Sequence, residues 1–481
     1  MFNIIIQLSK YLMIILMILY SLQCFTVFKR RSEEKKKKIL RKQFTMIILF
    51  VTIGYLDIFL YTKDFFIIVL YAGIILYFVL LQLLYRLFYP KASMLVVNNM
   101  CMLLGVGFII LARLQVGFAM RQFVIAAIAS VLALLVPIII RKLGFLSKMR
   151  WIYAVIGIMF LGVVLVMAQT SGGAKLSIVI AGVTFQLSEI VKITFVFFMA
   201  SSLQANHEFK NIVITTCVAA LHVVILVLST DLGTGLVFFI TYLVMTYVST
   251  KKVSYPLVAF AGGSVAAVGA YHVFDHVKKR VVYWKDPFAD YDHAYQIVQG
   301  MFAIGAGGWF GTGLCQGSPN IIPLATTDYI FTAISEELGG IVGICLILIC
   351  MSLFLMIVNI SMKIRNPFYK LVALGLGTEY AFQVFLNIGG TSKFIPLTGI
   401  TLPLVSYGGS SVMSTIIMLA IVQGLYILRE DEDERIEKAR KEIERERAEK
   451  EEAEREEMER QERAIVEAGG LSDYYKDTRK W

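Results

Sequence analysis

The amino-acid sequence predicts an all-α, polytopic membrane protein, and two observations carry this prediction. Of its 481 residues, 58% are hydrophobic and only 17% are charged, whereas soluble chains have about 25% charged residues. The apolar residues also come in runs of about 20, the length that crosses a bilayer as a helix. This excess of apolar residues cannot be buried in a single core, so much of it must face lipid.

Thirteen such runs follow one another along the chain. The first has its basic cluster on the C-terminal side and no small-residue cleavage site, so we expect a retained span rather than a signal peptide. The runs lie near residues 3–22, 44–62, 65–86, 94–112, 122–140, 150–169, 188–204, 211–229, 234–249, 255–273, 333–358, 369–389 and 407–428.

Basic clusters indicate the orientation of these spans. Residues 29–42 are densely basic, which by the positive-inside rule places the first loop in the cytoplasm and the N-terminus outside. Alternation then places the basic loops 141–150 and 359–368, and the charged tail 429–481, inside the cell. The loops expected outside are 170–187, 274–332 and 390–406.

Composition and motifs exclude several classes of function. The net charge of +11 comes from clusters between spans, which is typical of topology signals and not of a nucleic-acid-binding face. The six cysteines mostly lie in apolar runs without metal-ligand spacing, so we interpret them as small hydrophobic residues. There is no Ser-His-Asp set, HExxH motif or P-loop. Hydride transfer and phosphoryl transfer from a nucleotide therefore have no support.

Charged residues within spans are costly and usually face a partner or a cavity. Glu189 and Lys192 are three residues apart on one helical face, where they either neutralise each other or line a polar cavity for a charged head group. Arg113 lies at the outer end of its span, where snorkelling to the interface is the simplest interpretation. Asp231 is predicted to cap the helix that follows it.

The loop 274–332 contains the strongest candidates for chemistry. Arg280 belongs to a basic cluster on the outer side, which indicates either an anionic ligand such as a lipid diphosphate or pairing with nearby aspartates. The glycines of GAGGWFGTG (305–313) allow tightly turned or re-entrant backbone. Asp328 precedes a long helix, and from the sequence alone its simplest role is that of an N-cap.

Several separated motifs occur in an order that resembles the SEDS family, the FtsW, RodA and SpoVE proteins of bacterial wall synthesis. The match extends over about residues 94–428 and includes Tyr295-Gln296 and the Gly-rich run. At 185–192, Leu187 replaces the proline of the family's F-Q-P-S-E-x-x-K motif. The other matching segments are STDLGTG (229–235), TDYIF (327–331), EELG (336–339), NIG (387–389) and PLTGITLPLVSYGGSS (396–411).

The resemblance implies a domain organisation and an activity. A ten-span core would occupy 91–428, after an extension of about three spans at 1–90 and before the charged tail 429–481. The protein would be a multi-pass enzyme of the bacterial plasma membrane, an inverting peptidoglycan glycosyltransferase that polymerises lipid II and releases undecaprenyl diphosphate. A class B penicillin-binding transpeptidase is the expected partner. The alternatives are a lipid-linked-sugar flippase and a non-catalytic scaffold of a wall-synthesis complex.

The resemblance also implies roles for individual residues. Asp328 matches the essential aspartate of the family and would be the general base. Positive charge for the leaving diphosphate would come from Lys192, Arg113 and Arg280, and a divalent cation is considered although no ligand set is readable. The residues predicted to bind substrate are Glu189, Lys192, Arg113, Arg280, Gln296 and Ser406.

Overall fold

The computed structural model describes residues 2–30, 32–142, 144–167, 169–171, 174–180, 183–205 and 208–467. In this part of the chain, thirteen helical segments are long and apolar enough to cross a membrane, which confirms the predicted polytopic all-α fold. The fifth span is built from the consecutive helices α5 and α6.

The helices follow one another in chain order, with the longest connections before α8, α14 and α17. They are α1 (Phe2–Lys29), α2 (Glu33–Thr62), α3 (Phe65–Phe88), α4 (Met94–Leu114), α5 (Val116–Ala133), α6 (Val136–Lys142), α7 (Arg150–Met167), α8 (Leu187–Ala205), α9 (Phe209–Leu228), α10 (Leu232–Thr250), α11 (Ser254–Val273), α12 (Asp275–Lys285), α13 (Tyr291–Gly307), α14 (Ile330–Leu338), α15 (Gly340–Lys363), α16 (Pro367–Thr391) and α17 (Gly409–Glu467).

Burial divides the spans into central and peripheral ones. In the most apolar 18-residue stretch of each span, 94% of the residues are buried in α4 and 72% in both α8 and α16. In α11 the share is 0%. The apolar side chains of α11, which packs against α10, therefore stay accessible among the described residues and are suited to lipid. Among the extension helices, α1 packs against α15 and α2 packs against α4.

Two loops contain structure that the sequence analysis did not predict. The loop 170–187 holds an antiparallel sheet of three short strands, β1 (Gln169–Ser171), β2 (Ala174–Ile180) and β3 (Val183–Phe185), in the order β1-β2-β3. The loop 274–332 contains the helices α12 and α13 and a short 3₁₀ turn at Pro319–Ile321. These two helices position Arg280 and Gln296.

The chain divides into two compact units, Met1–Ile427 and Leu428–Trp481. The second unit holds the charged part of α17, where ion pairs occur at i,i+4 spacing. Lys441 pairs with Glu437 at 2.6 Å, and Arg440 pairs with Glu444 at 2.9 Å. Residues 468–481, which the sequence analysis includes in the charged tail, lie outside the described residues.

Candidate functional site

Asp328 lies just before α14, and its side chain does not cap that helix. The N-cap residue is Tyr329, and no side chain provides a cap hydrogen bond there. The interpretation of Asp328 as an N-cap is therefore wrong. Its carboxylate is 7% exposed and accepts a hydrogen bond from the Thr327 hydroxyl at 3.0 Å. The carboxylate is thus buried, and it does not cap α14.

Hydrogen bonds from two other segments hold the backbone around Asp328. The Asn387 amide donates to the Asp328 carbonyl at 2.8 Å, and the Ser406 hydroxyl donates to the Thr327 carbonyl at 2.5 Å. Ser406 is 1% exposed and also accepts from the Leu402 amide at 2.8 Å. These contacts make Ser406 a positioning residue for Asp328, and its predicted contact with substrate stays a prediction.

Arg280 interacts electrostatically with two carboxylates. Its guanidinium donates to the Thr398 carbonyl at 3.2 Å, and its charge interacts with both Asp231 and Asp328. Burial raises the pKa of Asp328 above the ordinary carboxyl value, while the Thr327 hydrogen bond and the Arg280 charge act in the opposite direction. Of the three cations predicted to bind the diphosphate, Arg280 is therefore the one whose charge acts on Asp328.

Asp231 caps α10, as the sequence predicts, because its side chain accepts a hydrogen bond from the Thr234 amide at 3.1 Å. It also accepts from the Ser188 hydroxyl at 3.3 Å. Burial raises the pKa of Asp231 as well. The sequence predicts only the capping role of Asp231, because no local pattern indicates its electrostatic interaction with Arg280.

Glu189 and Lys192 form an ion pair of 2.7 Å within the bundle, on the shared helical face that their spacing predicts. Lys192 also donates to the Gln383 side chain at 2.6 Å, and the Ser414 hydroxyl donates to Glu189 at 2.8 Å. These four residues line a cavity with room for about one water molecule. The pairing of the two charges is therefore confirmed, whereas a cavity that holds a charged head group stays a prediction.

A stripe of polar residues on α16 connects this cavity with Asp328. Glu379, Gln383 and Asn387 are spaced four residues apart, so they lie on one face of the helix. Gln383 donates to the Thr401 carbonyl at 3.1 Å, and Asn387 donates to the Ile400 carbonyl at 2.7 Å. The i,i+4 spacing of these residues is the signal in the sequence that indicates the stripe.

Arg113 takes part in a separate ion pair. Its guanidinium contacts Glu337 at 2.9 Å and the Gly317 carbonyl at 3.2 Å, and its side chain is 10% exposed. The interpretation that Arg113 snorkels to the interface is therefore wrong. None of its described contacts reaches Asp328, so the structure does not bring it to the rest of the candidate site. Its role in binding the leaving diphosphate stays a prediction.

Gln296 supports the segment that leads to Asp328. It lies on α13, and its side-chain amide donates to the Pro323 carbonyl at 3.1 Å. That bond supports the turn of backbone before Asp328, and direct contact with substrate stays a prediction. Among the described residues, no group of three or more His, Cys, Asp or Glu side chains is arranged to hold a metal ion. The divalent cation considered above also stays a prediction.

Comparison with known proteins identifies the family. The family described as "Cell cycle protein" (FtsW/RodA/SpoVE) matches residues 85–430. The chain belongs to the FtsW/RodA/SpoVE family. It is 32% identical over 368 residues to the peptidoglycan glycosyltransferase RodA of Mycobacterium tuberculosis, covering 70% of this chain and 78% of that protein. It is 30% identical over 302 residues to a probable FtsW of Aliivibrio salmonicida, covering 60% and 73% of the two chains.

Solved structures show the same fold. RodA of Thermus thermophilus superposes with a TM-score of 0.54 at 21% identity, over 70% of this chain and 97% of that one. A chain from a peptidoglycan synthase complex superposes with a TM-score of 0.61 at 23% identity, over 70% of this chain and 98% of that one. This FtsW/RodA/SpoVE family member is therefore a multi-pass membrane protein whose first 84 residues precede the family match.

Proposed function

We propose that this chain is a peptidoglycan glycosyltransferase that polymerises lipid II on the extracytoplasmic face of the bacterial plasma membrane. The observation that carries the proposal is Asp328, a buried carboxylate that is not used as a helix cap and is held by Ser406 and Asn387 beside Arg280. Relatives named peptidoglycan glycosyltransferase match most of the chain.

In the proposed reaction, the 4-hydroxyl of one lipid-linked disaccharide attacks the anomeric carbon of the growing glycan. A bond forms between this oxygen and the anomeric carbon, while the bond from the anomeric carbon to the diphosphate breaks. Asp328 takes the hydroxyl proton as general base, and undecaprenyl diphosphate leaves with the electron pair. A single displacement inverts the anomeric centre, so no second carboxylate is needed as a nucleophile.

We assign Arg280 the role of stabilising the negative charge that develops on the leaving diphosphate. Within the described residues its guanidinium makes one hydrogen bond, to the Thr398 carbonyl, so other donors are available for phosphate oxygens. Lys192 and Arg113 are each already paired with a buried glutamate. Using them for the diphosphate would break a buried ion pair, which is costly.

The orientation and the partner are part of the same proposal. The basic loop at 29–42 supports an outer N-terminus and a cytoplasmic C-terminus. A class B penicillin-binding transpeptidase is the proposed partner. The similarity of the fold to a chain of a peptidoglycan synthase complex supports such a partner.

The test is polymerisation of lipid II by purified protein together with candidate transpeptidases, followed by gel analysis of the glycan. We expect Asp328→Asn to lower the rate by about 10²–10⁴-fold, the usual contribution of a general base. Asp292→Asn is the matched control, because Asp292 is an exposed carboxylate in the same outer loop. Equal amounts of polymer from wild type and a folded Asp328→Asn protein would show that Asp328 is not the general base.

The same preparation separates the two alternatives. If the protein moved lipid-linked sugar across vesicle membranes and made no polymer with any candidate transpeptidase, it would be a flippase and not a transferase. In that case the loss of Glu189 or Glu379 within the spans should matter more than the loss of Asp328. A scaffold would tolerate the loss of all three carboxylates while wall synthesis in cells continued.

A further inference from the structure

A cavity of about 250 Å³ lies between the beginning of α2, the end of α3 and the beginning of α4. It is remote in sequence from Asp328 and shares no lining residue with the polar cavity beside Glu189. A water molecule takes about 30 Å³ of liquid volume, so this cavity accommodates a much larger group. Its lining residues are Lys37, Leu40, Arg41, Gln82, Arg86, Pro90, Met94 and Asn98.

The lining carries three positive charges and no carboxylate. Lys37 and Arg41 come from α2, Arg86 comes from α3, and all three side chains are exposed. None of the three makes an ion pair with a carboxylate in the part of the chain that the structure describes. Three unpaired cations around one cavity attract an anion with several acceptor oxygens.

Buried amides fix the floor of this cavity. The Gln82 side chain, 4% exposed, accepts from Arg86 at 3.2 Å and donates to Asn98 at 2.5 Å. Asn98, 1% exposed, donates in turn to the Leu40 carbonyl at 3.0 Å. This chain of bonds holds the Arg86 guanidinium in place, so the cavity is partly ordered before any ligand binds.

We propose that this cavity binds the phosphate head group of an anionic membrane lipid. Its walls are the ends of membrane spans, and the apolar side chains next to Arg86 are strongly exposed, with Leu87 67% and Phe88 60% accessible. These side chains suit acyl chains that descend from a bound head group. The predicted orientation also puts the cavity at the cytoplasmic leaflet, where anionic lipids are concentrated.

The proposed lipid would join the extension to the family core. Lys37, Arg41 and Arg86 belong to helices outside the core predicted from the sequence, whereas Asn98 belongs to the buried helix α4. A lipid in this cavity therefore contacts both parts and stabilises their association. This role is independent of the proposed transferase activity.

The test measures lipid that stays bound to the full chain. The protein is purified from membranes containing phosphatidylglycerol and phosphatidylcholine, and the retained lipid is counted by native mass spectrometry. The pocket variant combines Lys37→Gln, Arg41→Gln and Arg86→Gln. The control combines Lys35→Gln, Lys38→Gln and Lys42→Gln, which removes the same charge from exposed positions of α2 outside the cavity lining.

We expect wild type and the control to retain phosphatidylglycerol in preference to phosphatidylcholine, and the pocket variant to lose this preference. Each removed charge should weaken retention by roughly fivefold. If the pocket variant does not fold, the single change Arg41→Gln provides the same test with a smaller effect. Equal loss of phosphatidylglycerol in the pocket variant and the control would overturn the proposal, because the basic residues would then act only as topology signals.

A second arm distinguishes the lipid from a soluble phosphate. Delipidated protein is heated with inorganic phosphate or with short-chain phosphatidylglycerol, and its unfolding temperature is followed. We expect the lipid alone to raise the unfolding temperature of wild type, and the pocket variant to lose this rise. Equal stabilisation by inorganic phosphate would overturn the assignment to a lipid.

Discussion

At the scale of single residues, the protonation state of Asp328 depends on interactions that shift its pKa in opposite directions. Burial raises the pKa of its carboxyl group, and the nearby Arg280 charge and the Thr327 hydrogen bond act in the opposite direction. A general base accepts a proton only when it is ionised. The proposed activity should therefore fall on acidification at a higher pH than an ordinary aspartate would give.

Replacing Arg280 with Gln removes the charge that favours ionised Asp328. The pKa of Asp328 should then rise further, so the acid limb of the polymerisation rate should move to higher pH. Arg280→Lys should keep most of the wild-type limb, and Lys278→Gln, an exposed change on the same helix, should leave it unmoved. Rates measured across the weakly acidic and neutral range test this. Identical acid limbs for wild type and Arg280→Gln would show that Arg280 does not act on the base.

Arg113 and Glu337 allow a prediction about stability. Burial raises the pKa of Glu337 to about 7, so ionising this group in the folded state costs stability as the pH rises through that value. Arg113→Leu removes the compensating charge and raises the pKa further. The free energy of unfolding should fall by up to about 3–5 kcal/mol, and the loss should be largest above neutral pH.

Thermal unfolding on both sides of neutral pH measures this effect. Adding Glu337→Gln to the Arg113→Leu background should remove most of the pH dependence, because the group that titrates is then absent. Arg121→Leu, at an exposed arginine of α5, is the control and should change little at either pH. A destabilisation of Arg113→Leu that is equal at acidic and alkaline pH would contradict the assignment to Glu337.

At the scale of elements, the backbone of the Gly-rich run hydrogen-bonds to the backbone of α14. The Thr312 and Gly313 amides donate to the Glu336 and Glu337 carbonyls, both at 2.9 Å. Gly311 has a φ of 75°, and a Cβ atom there would lie 2.3 Å from the Glu337 carbonyl oxygen. The glycines therefore allow the close approach of two backbone segments, and the positive φ of Gly308, Gly311 and Gly313 agrees with the tightly turned backbone expected from the sequence.

Gly311→Ala should prevent this approach and disorder the segment that carries Asp328. We expect little monodisperse protein by size-exclusion chromatography and loss of polymerisation. Gly305→Ala is the matched control, because a Cβ atom there has no neighbouring atom within 4 Å and alanine suits a helix interior better than glycine. Normal folding of Gly311→Ala would mean that the two backbones can separate without consequence.

Local patterns explain which elements and residues could be predicted. Apolar periodicity and basic clusters indicate thirteen spans, and the three-residue spacing indicates the Glu189–Lys192 pair. The pairing of Arg113 with Glu337 joins residues 224 positions apart, and no local pattern encodes such a contact. The same limit applies to Asp328, whose position before a helix suggested a cap, while its actual supports, Asn387 and Ser406, come from distant segments.

At the scale of the whole molecule, the extension completes the burial of α4. Asn98 and Asn99 lie in the second turn of this buried helix and are themselves buried. Asn99 accepts a hydrogen bond from Tyr20 at 2.9 Å, and Asn98 accepts one from Gln82 at 2.5 Å. Both partners belong to the extension, so the core depends on α1 and α3 to satisfy amides that would otherwise be exposed to lipid.

A chain that begins at Lys91 tests this dependence. Without α1, α2 and α3, one face of α4 would meet lipid with buried amides left unsatisfied, each at a cost of several kcal/mol. We expect aggregated protein, and we expect co-expression of residues 1–90 as a separate fragment to restore a monodisperse complex, because the break falls in the short loop before α4. If the truncated chain had the unfolding temperature of the full chain, the extension would not be needed for the stability of the core. Failure of the fragment to restore folding would show that covalent connection through this loop is itself required.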